Sequence, residues 1–144
     1  MARPRRVKAF VTQLRVRFGH VDPAGIAYFP KIYDYIHEAF EELWHEHVGV
    51  RYDHLLLERQ IGFPLVHSEV DFKRPLHFGD RPVVRVTCLS IGTSSLKLHY
   101  VYTVDDEIAV DARMTTVCVD LKPLKSRPIP DEYRAKFEEI LEHP

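Results

Sequence analysis

Two cysteines in 144 residues, Cys88 and Cys118, leave little room for a disulfide framework or a cysteine-based metal site. Both fall inside alternating apolar and polar patterns, which predict buried free thiols and no nucleophile. Long apolar runs are also missing. None approaches the roughly 18 residues needed to span a bilayer, and the basic start, Arg3-Pro4-Arg5-Arg6 with Lys8, is not followed by an apolar stretch of signal-peptide length. A soluble, cytoplasmic protein is expected, with no membrane association and with that start a solvated terminus. Charge of one sign is not in excess either. The formal net charge is −1 and the Lys and Arg residues are scattered, so nucleic acid is not an expected partner. His67-Ser68-Glu69 has no C-x-x-C to complete a deaminase zinc site, and both H-E-x-x-H and Gly-x-Ser-x-Gly are absent. No metal site and no Ser-His-Asp hydrolase are expected.

What is present is the material of a compact fold. At 45% hydrophobic and 28% charged residues, the chain fits one domain over residues 1–144 that buries roughly two-thirds of its unfolded surface. Phe10 to Phe18 alternates with the period of a half-buried strand. After Gly49, Asp53 is placed to cap a helix over His54 to Gln60, with Gly62 as its stop. Period-two patterns then run from Leu65 to Lys73, Pro82 to Ser90, Ser95 to Val104 and Glu107 to Asp120, with spacings short enough for consecutive antiparallel pairing. Pro123, Pro128 and Pro130 predict an irregular segment, after which Asp131 caps a last helix from Glu132 to about Leu141. This order is α+β, a helix packed on one face of an antiparallel sheet.

The stretch Val16 to Trp44, VRFGHVDPAGIAYFPKIYDYIHEAFEELW, holds the longest helical pattern and the one plausible reactive carboxylate in a loop. Asp22-Pro23-Ala24-Gly25 interrupts an extended segment, with Asp at i, Pro at i+1 and Gly at i+3 as a type I turn prefers. Pro30 opens the helix at a position where a missing N–H costs nothing. Apolar residues at Ile32, Ile36, Ala39, Phe40, Leu43 and Trp44 form one face, and Asp34, Glu38, Glu41 and His45 the other. Four to five turns give a length on the order of 25 Å, enough to cross a small sheet. A turn can fix a carboxylate beside the freed N–H groups of the helix that follows, so structural and reactive roles for Asp22 are compatible.

Over Phe18 to Phe40, DPAG-I-A-Y-F-P followed by an aromatic-rich helix resembles the hot-dog-fold acyl-CoA thioesterases of the 4-hydroxybenzoyl-CoA thioesterase type, and the likeness continues more loosely to about Val119. The resemblance implies a hot-dog fold, a five-stranded antiparallel sheet wrapped around a long central helix in the order first, third, fourth, fifth, second. It implies hydrolysis of a thioester to a free acid and CoA, with no cofactor beyond the CoA thioester substrate, in a homodimer or homotetramer whose sites lie at subunit junctions. Tyr28, Phe29, Tyr33 and Tyr35 suit such a junction and core packing equally.

By the same resemblance Asp22 is the catalytic carboxylate, as nucleophile or general base, and the backbone N–H of Phe29 is the oxyanion donor. Gly25 and Tyr28 of the motif, His37 and Phe63 form the substrate-binding set. His37 stands where 4-hydroxybenzoyl-CoA enzymes carry an aspartate and short-chain relatives a glutamate. It meets the acyl group, tunes Asp22 or is a boundary histidine between core and solvent. Phe63 replaces a polar threonine of the pocket wall, which implies a more apolar acyl site. His20 stands where relatives often have a second acidic residue; it reads as an exposed loop residue, the other reading being a protonated imidazole that favours ionisation of Asp22. The basic turn that binds CoA phosphates in the family is Gly92-Thr93-Ser94-Ser95 here. Lys73, Arg74 and Lys97 are the candidate substitutes, each also readable as a solvated strand-end charge, so acyl-CoA and acyl-carrier thioesters both remain as partners. Two other readings of the fold are a non-hydrolytic acyl-thioester-binding module acting as sensor or scaffold, and an enoyl-thioester hydratase.

Overall fold

A computed structural model of the chain describes residues 8–143, so the Arg3-Pro4-Arg5-Arg6 start lies outside the described residues. The main sheet is antiparallel, with strands β1 (Phe10–Gln13), β3 (Leu65–Phe72), β4 (Val83–Ile91), β5 (Ser95–Val104) and β6 (Glu107–Val117) in the order β1-β4-β5-β6-β3. This is the order expected of the hot-dog fold. Alternation along β5 sends Leu96, Leu98, Tyr100, Tyr102 and Val104 inward, all buried, and leaves Lys97, His99, Val101 and Thr103 on the outer face. The long helix α1 (Phe29–Glu42) lays Ile32, Tyr35, Ile36, Ala39 and Phe40 against that inner face. Burying side chains of this size contributes about 1.5–3 kcal/mol each before entropy is counted, and this contact holds helix and sheet together.

The first strand ends five residues earlier than its pattern predicts. Residues 14–17 stay extended, with Leu14 N–H on Pro82 O at 3.0 Å and Val16 N–H on Asp80 O at 2.9 Å. The ladder stops because Pro82, which would face Leu14 after the Gln13–Val83 pair, has no N–H to return. α1 runs on into a π-helical segment, Leu43–Val48, closed by Gly49 at φ +87°. There Trp44 packs at 5.0–5.4 Å, centroid to centroid, on Phe63, Tyr133 and Phe137.

Other elements depart from the sequence pattern in ways that have local causes. The second helix, α2, spans Tyr52–Leu57, and Arg51 holds the Asp53 carboxylate at 2.6 and 3.0 Å in place of the expected cap. Gly62 does not end that helix. It lies in strand β2 (Ile61–Gly62), where an added Cβ would come within 3.1 Å of Leu56 and Leu121. The pattern from Glu107 to Asp120 is divided at Cys118, whose N–H and C=O go to Ser94 and Arg127. The chain then enters a second, three-stranded sheet, β2-β7-β8, with β7 at Val119–Leu121 and β8 at Leu124–Ser126. Pro123 therefore lies in the turn of a hairpin, with Pro128 and Pro130 beyond it, where irregular chain was expected. The last helix, α3, is Asp131–Glu138 with Pro130 at its N-cap, and Leu141 bridges to Cys88 of β4. Among the described residues no helix is long and apolar enough to cross a membrane.

Candidate active site

Asp22 opens a three-residue hairpin. Gly25 N–H bonds to Asp22 O and Asp22 N–H to Ile26 O, both at 2.9 Å, and Val21 pairs with Ala27. Gly25, at φ +79°, supplies the left-handed residue that such a turn needs at its end. The side chain takes part as well. Asp22 Oδ1 accepts Ala24 N–H at 2.9 Å and Ile26 N–H at 3.3 Å, which fixes the plane of an exposed carboxylate and leaves Oδ2 without a partner among the described residues.

The hairpin is bedded on the segment between β3 and β4. Phe78 N–H donates to Gly25 O at 3.0 Å, Ala27 N–H to Leu76 O at 2.8 Å, and Ile26 bridges His77. Two residues after Ala27 the helix begins, with Tyr28 as N-cap, Phe29 as its first residue and Pro30 next. The Phe29 N–H has no acceptor among the described residues, as expected for the first turn of a helix. Tyr28 and Phe29 are both exposed.

His20 is not the exposed residue its place in the loop suggests. It is half-buried, and its Nδ1 meets Arg17 N–H at 3.2 Å and the Tyr35 hydroxyl at 2.9 Å. Burial, with Lys31 nearby, lowers its pKa below the ordinary histidine value.

His37 and Phe63, 26 positions apart in sequence, meet in one cavity of about 250 Å³ beside α1. Tyr100, Met114 and Thr116 from β5 and β6 form its floor and Tyr52 part of its wall, so it is mainly apolar and aromatic. His37 pairs with Glu41 at 3.1 Å on the exposed side of the helix. From Phe29 to His37 the helix climbs about 12 Å. The three floor residues carried no separate signal in sequence, because inward positions of central strands read simply as core.

The three basic candidates are not brought together within one chain. Arg74 bonds Val104 O at 3.5 Å and pairs with Asp80 at 3.7 Å and Glu107 at 3.3 Å. Lys73 follows the same strand end, whereas Lys97 lies seven residues before Val104 on β5, roughly 23 Å away. Among the described residues no group of three His, Cys, Asp or Glu side chains is arranged to hold a metal ion.

Residues 16–137 match the model of the Thioesterase-like superfamily. The chain belongs to that superfamily. It is a thioester hydrolase. It is 31% identical over 124 residues to a 1,4-dihydroxy-2-naphthoyl-CoA hydrolase of Nostoc punctiforme, covering 86% of this chain and 83% of the relative. Among solved structures, a thioesterase superfamily protein of Jannaschia sp. CCS1 superposes with a TM-score of 0.87 at 30% identity over 98% of this chain and 99% of the other. A gentisyl-coenzyme A thioesterase superposes with a TM-score of 0.80 at 28% identity, over 89% and 99%. These thioesterase neighbours share the hot-dog architecture of the sheet and helix described above.

Proposed function

We propose that this superfamily member hydrolyses aromatic acyl-CoA thioesters, with Asp22 as the reactive carboxylate and the Phe29 N–H as the donor to the carbonyl oxygen. The observation that carries this reading is that the hairpin presenting the unfilled Asp22 Oδ2 leads within two residues of Ala27 into the start of α1, where the Phe29 N–H is also without an acceptor among the described residues. Negative charge builds on the thioester oxygen as the carbonyl carbon becomes tetrahedral, and a backbone donor at the positive end of a helix is suited to it. The carboxylate either attacks that carbon to give an anhydride, later opened by water, or takes the proton of an attacking water. Both routes release the thiol and the free acid.

The cavity of His37 and Phe63 supports an aromatic acyl group: its lining is mainly aromatic and aliphatic, with His37 as a polar contact. The relatives named for dihydroxynaphthoyl and gentisyl thioesters fit the same reading. A homodimer is part of the proposal. Among the described residues edge strand β3 has no partner on its outer side, and it exposes Leu65, Val66 and Phe72, while Tyr28, Phe29 and Tyr33 are exposed at the start of α1. A second copy would cover these surfaces and wall in the site.

The test compares wild type with Asp22→Asn for thiol release from aromatic and straight-chain acyl-CoAs. Asparagine keeps the Oδ1 acceptor, so melting should stay within a degree or two while turnover falls about 100-fold or more. Equal rates would remove Asp22 from the chemistry, and no thiol release by wild type would overturn hydrolysis of these substrates.

A further inference from the structure

The extended segment 14–17 lies beside 79–82, closed at its end by Gly79 N–H on Val16 O at 3.0 Å. Side chains alternate along such a segment. Val16 is fully buried, so Arg15 and Arg17 stand together on the outer side, and Arg81 from the neighbouring segment lines the same hollow. This hollow has a volume of about 460 Å³, is completed by Phe18 and Phe78, and has no carboxylate in its lining. The two phenyl rings meet edge to face at 5.7 Å and remain 77% and 57% exposed.

Other arginines are already engaged: Arg51 by Asp53, Arg59 by Glu132, Arg74 by Asp80 and Glu107, and Arg127 by Asp120. Arg15, Arg17 and Arg81 form no ion pair among the described residues. The same three arginines also line an adjoining hollow on the α1 side, together with Glu38 and Glu42, so they lie between a carboxylate-bearing hollow and the carboxylate-free one of Phe18 and Phe78. Three unengaged guanidinium groups beside two exposed aromatic rings match a ligand that joins phosphates to a flat ring, because the planar fork of arginine pairs with phosphate oxygens and phenyl rings accept a stacked or edge-on base.

We propose that this hollow binds the phosphorylated adenosine end of coenzyme A. It does so in place of the basic turn that Gly92-Thr93-Ser94-Ser95 lacks. The hollow adjoins the reactive turn, since Phe78 N–H donates to Gly25 O at 3.0 Å, and the pantetheine arm would cross from one to the other. The inference rests on the acyl-CoA reading above, but the site can be probed without turnover.

Adenosine 3′,5′-bisphosphate is the probe. Titrated into wild type by calorimetry, it should bind, and binding should weaken as salt is raised. Arg15→Ala, Arg17→Ala and Arg81→Ala should each weaken it about five- to tenfold, the size of one lost charge-assisted contact. Arg113→Ala, which removes a positive charge from the outer face of β6, should change it less than twofold. Asp22→Asn should bind it as wild type does, so a failure of hydrolysis and a failure of this site are separable. With acyl-CoA as substrate the three variants should raise KM by a similar factor. The same acyl group on pantetheine, which has no nucleotide, should show no such rise. No binding of the bisphosphate by wild type, or equal losses with acyl-CoA and acyl-pantetheine, would overturn the proposal.

Discussion

The Tyr35 hydroxyl and the Arg17 N–H both converge on Nδ1 of His20, at 2.9 and 3.2 Å. A backbone N–H can only donate, so Nδ1 is an acceptor, the ring proton is on Nε2, and His20 is neutral. The Tyr35 hydroxyl therefore donates, and burial pushes its own pKa up to about 12, so it keeps its proton at physiological pH. Tyr35 is tied on its other side by the Tyr102 hydroxyl, 2.8 Å from its backbone oxygen. A continuous chain of contacts runs from β5 through α1 to the residue two places before Asp22.

His20→Ala should cost about 1–2 kcal/mol of stability and lower turnover, while His20→Asn, whose side-chain oxygen falls near the position of Nδ1, should recover much of both. The pH dependence has a definite sign. Because the folded pKa of His20 is lowered, the unfolded chain takes up this proton first as pH falls below about 6.5, so stability declines with acidity through that window. Melting curves from pH 7.5 to 5 should show a shallower decline for His20→Asn. An identical decline would remove His20 as a contributor.

On the outer face of the sheet, His99 lies between two carboxylates, Nδ1 at 2.6 Å from Glu142 and Nε2 at 2.8 Å from Asp111, and Thr87 donates to Glu142 at 2.5 Å. Burial raises the Glu142 pKa, but the bonds from Thr87 and His99 outweigh it, and the net shift is downward. The associated stability is present above the ordinary carboxylate pKa and is lost as pH falls through the lowered one. Glu142→Gln should lower the melting temperature by about 3–6 °C at pH 7, corresponding to about 1–2 kcal/mol, with a smaller difference at pH 3.5. Calorimetric melting at the two pH values checks this.

Burial pushes the Cys88 thiol up to about 12 and the Cys118 thiol to about 11. Both side chains are fully buried. Ellman's reagent at pH 8 should leave them unmodified in the native protein and titrate two thiols in guanidinium. Rapid reaction of either thiol without denaturant would contradict their placement.

Met114 forms part of the floor of the acyl cavity. Met114→Phe should cut kcat/KM for a bicyclic aromatic acyl-CoA about tenfold more than for an acetyl thioester, the scale of a steric penalty of 1–2 kcal/mol in a closed pocket. Melting measured alongside separates this from general overpacking.

The main sheet was readable because alternation in β3 to β6 is nearly unbroken and the intervening turns are short. The small sheet was not, since β2 has two residues and β7 continues the period of β6 without a gap in polarity. Only the contacts of Cys118 with Ser94 and Arg127 divide them. At the site, the turn chemistry of Asp22-Pro23-Ala24-Gly25 was legible from residue types alone. Contacts that depend on distant elements were hidden: nothing local in His20 announces Tyr35, fifteen residues on, and nothing in Lys97 shows that it lies far along β5 from Arg74.

One oxygen of Asp22 is fastened by two amides and the other is bare. The carboxylate plane therefore cannot turn over without breaking both bonds. The heading of the free oxygen is thus set by hairpin backbone and not by the rotamer freedom of an aspartate side chain.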